Sequence, residues 1–313
     1  MGRFWLRERT PTRAPEASMT TAQPLTKDQA VSNAIREISH IATLPEITLK
    51  IIELVESPSS TAQDLNKVIS NDPALCSRIL KVVNSAFYGL PGQVGSINRA
   101  IVLLGLNAVK NIAIAASLAK LFRGGSLTPE FNAKDLWTHS ITTATACKMV
   151  ADQLKLGLGD EAFLAGLIHD IGIIVEIQYD RHRLIEVLER CKPDVDGKPT
   201  GDWMQAETEI FGATHQDFGQ GLCEKWKFPK NFALVTGYHH RPLELAKDIR
   251  TLVSIVHVAD KISGTLPGGF RMDTADTNVD PAVLESLGLS AEALAQITAK
   301  LPEHMQQVSA MMG

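Results

Sequence analysis

The sequence predicts an all-α protein, folded as a compact multi-helix bundle. Apolar residues recur at helical spacing along most of the chain, and the alternation that is typical of strands is scarce. Cap and turn signals follow one another at short intervals, which favours short packed helices over a long coiled coil. With 313 residues, of which 44% are hydrophobic, the chain can bury one large core or two smaller ones.

The first helices are predicted from apolar stripes and from caps. In residues 47–55 the apolar side chains cluster on one helical stripe. Thr61 and Asp64 form a capping pair before the next stripe, and Asp72 followed by Pro73 is the usual cap and first-turn proline of a helix. We therefore expect three short helices in succession.

Further along, Ser96 is predicted to cap a helix that Gly105 ends, and a second apolar stretch follows as far as Phe122. Gly124 and Gly125 then mark an interior boundary. The chain is accordingly divided into a disordered N-terminal extension, an N-terminal helical part, a histidine-bearing helical part, and a C-terminal linker with short closing helices, at residues 1–25, 26–123, 126–265 and 266–313.

Charge and cysteine content argue against several classes of protein. The net charge of −4 and the pI near 6.1 give no basic footprint, so neither nucleic acid nor a membrane surface is an expected partner. The four cysteines form no CxxC pair, which disfavours a zinc knuckle or a disulfide framework. Neither a signal peptide nor an apolar stretch of membrane-spanning length is expected, so the predicted location is cytoplasmic. Met19 is an alternative start to Met1.

The most informative motif is His169-Asp170, two metal-capable side chains inside the apolar stretch 164–172. A buried imidazole and a buried carboxylate are costly unless they are hydrogen-bonded, paired or bound to a cation. Neighbouring helical residues point about 100° apart, so the pair can converge on one ion only near a helix end, for which Gly172 is the candidate. The stretch therefore predicts either a metal site or a closed polar network.

Other metal-capable residues lie in the same part of the chain, since seven of the nine histidines fall between residues 139 and 260. Asp260 lies in an apolar helical segment, where an unpaired carboxylate would be costly. The remaining candidates are His139, His215, His239, His240 and His257. Each also has a plainer interpretation as a packed core histidine or as a helix-end or loop residue.

The order of these residues resembles that of a known superfamily. His139, His169-Asp170 and Asp260 are similar to the signature of the HD superfamily of helical metal-dependent phosphohydrolases, in which the four positions ligate a divalent metal. More closely, the chain resembles an HDOD domain, a regulatory relative found in bacterial signalling proteins. The blocks that carry this resemblance are residues 44–45, 69–75, 81–89, 97–105, 137–140, 164–172, 211–215, 226–229 and 238–242, with its end near Asp260.

The resemblance implies an N-terminal part of an HDOD domain in residues 26–123 and an HD-like helical subdomain in residues 126–265. One or two divalent ions of iron, manganese, zinc or nickel suit the implied histidine and carboxylate ligands. The implied ligands are His139, His169, Asp170 and Asp260, and the residues of a second metal position, or of the shell around the first, are His215, His239, His240 and His257.

Two departures from the catalytic pattern bear on function. Members of the HD-GYP phosphodiesterase branch usually carry a lysine after the His-Asp-x-Gly run, where this chain has Ile173. The Gly-Tyr-Pro element of that branch is also missing, because Arg241-Pro242 follows the paired histidines. Phosphodiester hydrolysis needs charge neutralisation at phosphate as well as a metal.

The function predicted first is therefore that of a signalling or regulatory protein without catalysis, which contacts signalling proteins in trans or senses a ligand. The alternative is a metal-dependent phosphohydrolase that acts on a nucleotide or a cyclic dinucleotide. Phe87 and Tyr88, between a helix and a loop, are candidates for an interaction surface, although packing between the two helical parts is the favoured interpretation.

Overall fold

The prediction of an all-α fold is confirmed by the computed structural model. The structure describes residues 25–38, 46–85, 87–122, 126–128, 131–194, 199–273 and 276–312. The predicted N-terminal extension up to residue 24, the alternative start at Met19 and the glycine pair at 124–125 lie outside the described residues.

Helices account for most of the described chain, and a short antiparallel pair of strands, Ser126–Thr128 (β1) and Phe131–Asn132 (β2), joins the two helical parts. The helices are α1 Lys27–Glu37, α2 Glu46–Glu56, α3 Ala62–Ser70, α4 Pro73–Val83, α5 Ile97–Leu104, α6 Leu106–Leu118, α7 Ala133–Gln153, α8 Gly159–Ile168, α9 Ile171–Tyr179, α10 Arg181–Arg190, α11 Trp203–Phe211, α12 His215–Lys225, α13 Lys230–Tyr238, α14 Thr251–Ser263, α15 Pro281–Leu287 and α16 Ala291–Met312, with 3-10 turns at Ala119–Phe122 and Pro242–Glu244.

The helices α2 to α6 pack on one another, and their boundaries follow the predicted caps. The Thr61 hydroxyl accepts a hydrogen bond from the backbone of Asp64, and the Asp72 carboxylate accepts one from the backbone of Leu75. Ser96 caps α5, and Gly105 separates α5 from α6 with a φ of 91°, a conformation that favours glycine. Local signals therefore determine where these helices begin and end.

Helix α1 departs from the predicted division of the chain. It was expected to belong to the N-terminal helical part, but it packs against α12 and α9 of the histidine-bearing part. Lys27 at its start lies 3.0 Å from the carboxylate of Asp217 in α12, and Ala30 and Ala34 are buried in the contact. The physical reason is that small residues on one face of α1 let it lie close to α12, a contact that sequence order does not reveal.

The histidine-bearing part is a layered helical bundle in which α7 packs on α8 and α14, and α12 packs on α9 and α13. The stretch Gly159–Tyr179, which comprises α8 and α9, has a mean hydropathy of 1.4 over its most apolar 18 residues and is by length and composition able to cross a membrane. The expectation that the chain holds no such stretch was therefore wrong. Because 83% of its most apolar window is buried inside the fold, the stretch forms the core of the bundle.

The closing helices differ in length from the prediction. Helix α15 is short, but α16 extends over 22 residues and continues through Pro302. Ile297, Leu301 and Val308 are buried on one face of α16, which packs on α7 and α4. Burial of that face against two helices stabilises a longer helix than the local signals predict.

Phe87 and Tyr88 lie where the two helical parts meet α16. The Phe87 ring lies 5.9 Å from that of Phe163 in α8 and 6.3 Å from that of His304 in α16. The Tyr88 hydroxyl donates a hydrogen bond of 2.9 Å to Asp160. Both side chains are thus used in packing between the helical parts.

Candidate metal centre

The His169-Asp170 pair forms the junction between α8 and α9. Helix α8 ends at Ile168 and α9 begins at Ile171, so both side chains project from a break between two helices. The expectation of a nearby helix end was correct in kind, but Gly172 does not supply it, because Gly172 lies in the first turn of α9. The break lets two adjacent residues face the same space.

Two glycines that flank the pair allow neighbouring helices to approach. A Cβ atom built on Gly166 would lie 2.8 Å from the Ala144 Cα of α7, and one built on Gly172 would lie 1.8 Å from the His215 carbonyl oxygen of α12. These contacts leave no room for a side chain. Helices α7 and α12 carry His139 and His215, so the glycines bring both histidines to the His-Asp junction.

The first group of metal-capable atoms surrounds the junction on the α7 side. His139 Nε2 lies 3.1 Å from His169 Nε2, 3.4 Å from Asp170 Oδ2 and 3.2 Å from Asp260 Oδ1. His169 Nε2 lies 3.1 Å from Asp170 Oδ2. His169, Asp170 and Asp260 are fully buried, and His139 is 3% exposed. The structure thus brings all four predicted ligands of the first position together.

The second group lies on the other side of Asp170. Its members are His215, His239, His240 and Asp273, whose ligand atoms all lie within 4.8 Å of one another. His215 Nε2 lies 3.1 Å from His240 Nε2, which lies 3.4 Å from Asp273 Oδ2. His239 Nε2 lies 3.3 Å from Asp170 Oδ1. The two oxygens of Asp170 therefore face different groups, and its carboxylate lies between them.

Three histidines are oriented by hydrogen bonds from their outer nitrogens. The Nδ1 atom of His169 lies 2.8 Å from the Gly166 carbonyl oxygen, that of His239 lies 3.2 Å from the Val235 carbonyl oxygen, and that of His215 lies 2.9 Å from Glu207 Oε1. When Nδ1 donates to such an acceptor, the lone pair of Nε2 faces the group. This arrangement is typical of histidines that bind metals.

The spacing and the hydrogen bonding of the two groups fit divalent metal ions. Two atoms bound at about 2.0–2.1 Å to one tetrahedral metal lie roughly 3.3–3.4 Å apart, close to the spacings within both groups. Both oxygens of Asp170, both oxygens of Asp260 and Nε2 of His239 are buried, and none has a hydrogen-bond partner among the described residues. Buried acceptors of this kind are costly unless a cation or a proton compensates them.

In the metal-free protein, protons on the histidines compensate the buried carboxylates. Burial disfavours the charged form of His139, but the carboxylates of Asp170 and Asp260, at 3.4 and 3.2 Å, outweigh burial and raise its pKa to about 9. Burial is likewise outweighed at His169, whose pKa the Asp170 carboxylate raises well above its usual range, and at His215, where Glu207 raises the pKa to about 9. Burial and the neighbouring His240 lower the pKa of His239 to about 3, so His239 stays neutral. A metal would replace the protons on His139, His169 and His215.

Metal binding is therefore expected to release about three protons per chain near neutral pH, because His139 and His215 titrate near pH 9 without metal and the pKa of His169 also lies well above its usual range. At neutral pH these groups are protonated, so the apparent affinity should rise with pH, by roughly tenfold per pH unit for each proton released. Calorimetric titration with Mn²⁺ in two buffers of different ionisation enthalpy measures the proton number. Tight binding with no proton release would contradict the assignment of these three histidines.

Three acidic residues of the centre were missed from the sequence. Glu207 in α11 accepts from both the backbone and the side chain of His215, and also from the indole of Trp203. Glu176 is fully buried in α9, where burial and the nearby Glu207 raise its pKa well above the usual range. Glu207 and Glu176 could have been singled out from the sequence, because each is a glutamate on an otherwise apolar helical face. Asp273 had no signal, because it lies in an irregular segment without periodicity.

His257 lies outside both groups. Its Nδ1 atom is 2.7 Å from the carbonyl oxygen of His239, so it holds the backbone that carries the paired histidines. The prediction that His257 lies in the shell around the metal ligands stays a prediction. His257 also lines a cavity of about 350 Å³ that adjoins His240.

Comparisons with known proteins agree with this fold. The sequence profile of the HDOD domain matches residues 41–242. An uncharacterised protein from Treponema pallidum (strain Nichols) is 23% identical over 282 residues, which are 89% of this chain and 52% of that protein. This chain thus spans about half the length of that relative.

Solved structures are similar over nearly the whole chain. An HDOD domain protein of unknown function from Geobacter sulfurreducens has a TM-score of 0.72 at 21% identity, and the match covers 91% of this chain and 98% of that one. A candidate phosphohydrolase from Shewanella amazonensis SB2B has a TM-score of 0.70 at 21% identity, and the match covers 91% of this chain and 98% of that one. A candidate signal transduction protein from Marinobacter aquaeolei VT8 has a TM-score of 0.69 at 22% identity, and the match covers 92% of this chain and 65% of that one. At these identities the likeness concerns the fold alone.

Proposed function

Since the chain belongs to the HDOD family, we propose that it is a cytoplasmic bacterial signalling protein, whose buried cluster of histidines and aspartates holds divalent metal as a structural and regulatory centre. Its output passes through contacts with other signalling proteins or with a ligand, and not through turnover. The first metal position is formed by His139, His169, Asp170 and Asp260, and the second by His215, His239 and His240 with Asp170 between the two.

The observation that carries this proposal is the enclosure of the centre. The side chains of His169, Asp170, His239 and Asp260 are fully buried, and even that of His240 is only 15% exposed. A catalytic metal keeps an open position for water and substrate, whereas a structural metal is closed by protein ligands. An enclosed centre with this many candidate ligands favours a structural and regulatory role.

The surroundings of the His-Asp junction support the same view. Ile173, at the position where a catalytic relative carries a cation, is fully buried in the apolar core of α9. Its aliphatic side chain offers no charge to a phosphate oxygen. A phosphodiester at this centre would lack a partner that hydrolysis needs.

One observation favours the alternative of a metal-dependent phosphohydrolase for a nucleotide or a cyclic dinucleotide. The two oxygens of Asp170 face separate groups of ligands, which is the arrangement expected of a carboxylate between two metal ions. Paired metals of this kind serve many phosphoester hydrolases. The cavity beside His240, which Arg241 and Lys261 also line, would be the path to such a centre.

The test combines metal content with turnover. Wild-type protein purified without an affinity tag or chelator is analysed for metals, then loaded with Mn²⁺ and incubated with bis-p-nitrophenyl phosphate, a mononucleotide and a cyclic dinucleotide. The double variant His169→Ala, Asp170→Ala serves as the background. We expect bound metal in the wild type, loss of metal in the variant, and no product above background.

Two results would overturn the proposal. Product released by the metal-loaded wild type but not by the variant would establish the phosphohydrolase. A folded wild-type protein that binds no metal, either as purified or after loading, would assign the cluster to a closed polar network.

A further inference from the structure

Residues 264–273, which follow α14, pass beside His139 of the first group. Phe270 is 3% exposed, and its ring packs edge-on against Phe131 at 5.5 Å and Trp203 at 5.3 Å. Its backbone N–H donates a hydrogen bond of 3.0 Å to the carbonyl oxygen of Asp135 in α7. Gly269 has a φ of 84° and lies against the backbone of His139. This segment therefore follows the surface of α7 directly above the first group.

Three residues after Phe270, the same segment places a carboxylate inside the second group. The Asp273 side chain is fully buried, and its Oδ2 lies 3.4 Å from His240 Nε2. Its ligand oxygen lies within 4.8 Å of the ligand nitrogens of His215, His239 and His240. With Asp170 Oδ1 at 3.3 Å from His239 Nε2, three imidazoles and two carboxylates face this position, and both are donor types that divalent metals bind.

The charges around Asp273 favour a cation at this point. The Asp273 carboxylate shares this buried region with those of Asp170 and Asp260, whose oxygens lie 3.8 Å from His215 Nε2 and 3.9 Å from His240 Nδ1. Three buried carboxylates close together repel one another unless positive charge separates them. A divalent ion among the histidines would remove that repulsion, and a buried carboxylate near a cationic site has a physical reason to be there.

We propose that Asp273 is a metal ligand of the second group, and that the bound metal thereby fastens residues 264–273 over the centre. This inference rests on the proposed metal binding, which it deepens by naming a fifth ligand of the second position and a covering segment. With Asp273 as ligand, the second position is closed by protein atoms. Removal of the metal leaves the segment held by Phe270 without the bond at Asp273, so the segment loosens and the centre opens towards solvent.

The release is confined to this segment, because the elements after it are held by contacts of their own. Helix α15 packs on α14, and Lys261 donates a hydrogen bond to the Asp276 carbonyl oxygen. Helix α16 packs on α7 and α4 through its buried face. The metal therefore controls access to its own centre without moving the C-terminal helices.

The experiment compares wild type with Asp273→Asn, which keeps the shape of the side chain and removes its charge. Asp276→Asn is the matched control, since Asp276 is an exposed aspartate three residues further along the chain. Each protein is freed of metal with a chelator, reloaded with Mn²⁺ and analysed for Mn²⁺ per chain. Hydrogen exchange of residues 264–273 is then measured with and without Mn²⁺, with α16 as the internal reference.

For wild type and Asp276→Asn we expect two Mn²⁺ per chain and slow exchange in residues 264–273 that becomes fast without Mn²⁺. For Asp273→Asn we expect about one Mn²⁺ per chain, because the affinity of the second position should fall by more than the roughly 10–100-fold that loss of an outer partner costs. Its exchange in residues 264–273 should be fast with and without Mn²⁺, while α16 is unchanged.

The opposing outcomes separate the two proposals. If Asp273→Asn holds two Mn²⁺ and its segment exchanges slowly, Asp273 is not a ligand, and the proposed metal centre stands without it. If Asp273→Asn exchanges faster than wild type even without Mn²⁺, the role of Asp273 is structural and the inference is wrong. If wild type binds no Mn²⁺, the proposed function fails together with the inference.

Discussion

Replacing Asp170 with alanine is expected to abolish metal binding at both groups. One oxygen of Asp170 lies 3.1 Å from His169 Nε2 in the first group, and the other lies 3.3 Å from His239 Nε2 in the second. Asp260 also faces both groups, but its contact with the second group is longer, at 3.9 Å from His240 Nδ1. Elemental analysis after loading with Mn²⁺ measures the loss, and we expect the metal content to fall from two ions per chain to nearly none.

The same substitution should also destabilise the metal-free protein. The pKa of Asp170 is held well below its usual range, since the positive charge of His169 and the contact with His139 at 3.4 Å outweigh burial. Without this carboxylate, the buried His139 and His169 keep only the carboxylate of Asp260 as a partner, and breaking a buried ion pair in this way costs about 3–5 kcal/mol of the free energy of unfolding. Urea denaturation measures this, with the exposed Asp28→Ala in α1 as control. Full metal content in Asp170→Ala would refute the shared position of this residue.

The substitution Gly172→Ala is expected to be strongly destabilising, although alanine is the better helix former. Helix propensity alone would favour alanine by about 1 kcal/mol. In this fold, however, the added Cβ would lie 1.8 Å from the carbonyl oxygen of His215 and 2.9 Å from the backbone nitrogen of Gly219. Backbone atoms cannot move aside as a flexible side chain can, so α12 must shift as a whole. We expect a loss of about 3 kcal/mol or more.

The shift of α12 should also be visible at the metal centre. His215 is the first residue of α12, so the second group should lose its ion while the first group, on α7, α8 and α14, keeps its own. Urea denaturation and Mn²⁺ content measure the two effects. Gly95→Ala is the matched control, because a Cβ at Gly95 meets nothing within 4 Å. A Gly172→Ala protein as stable as Gly95→Ala would contradict the close contact between α9 and α12.

Local signals in the sequence were sufficient for much of the fold. Asp72 and Ser96 cap the helices that they were predicted to cap, because a cap acts on backbone groups within the next three residues. The same locality explains the failures. The length of α16 and the position of α1 depend on burial against helices that are distant in sequence, and no local pattern reports such contacts.

The candidate centre shows the same division. Histidines and aspartates in apolar segments could be singled out from the sequence, because burying such groups has a known cost wherever it occurs. The place of Asp273 and the close contact of Gly172 with the backbone of α12 could not be predicted from the sequence. Asp273 comes within 3.4 Å of His240 in a segment that Phe270 joins to α7 and β2, far from His240 in the local sequence pattern.

The sequence by itself determined that this protein is helical, where most helices begin, and which residue types had to share a buried polar site. The tertiary structure alone decided that these residues form two groups, that Asp170 lies between them and that the segment carrying Asp273 passes beside them. The reason is physical. Capping and helix formation are settled within a few residues, whereas a cluster of ligands is assembled by packing between helices that the chain order does not make neighbours.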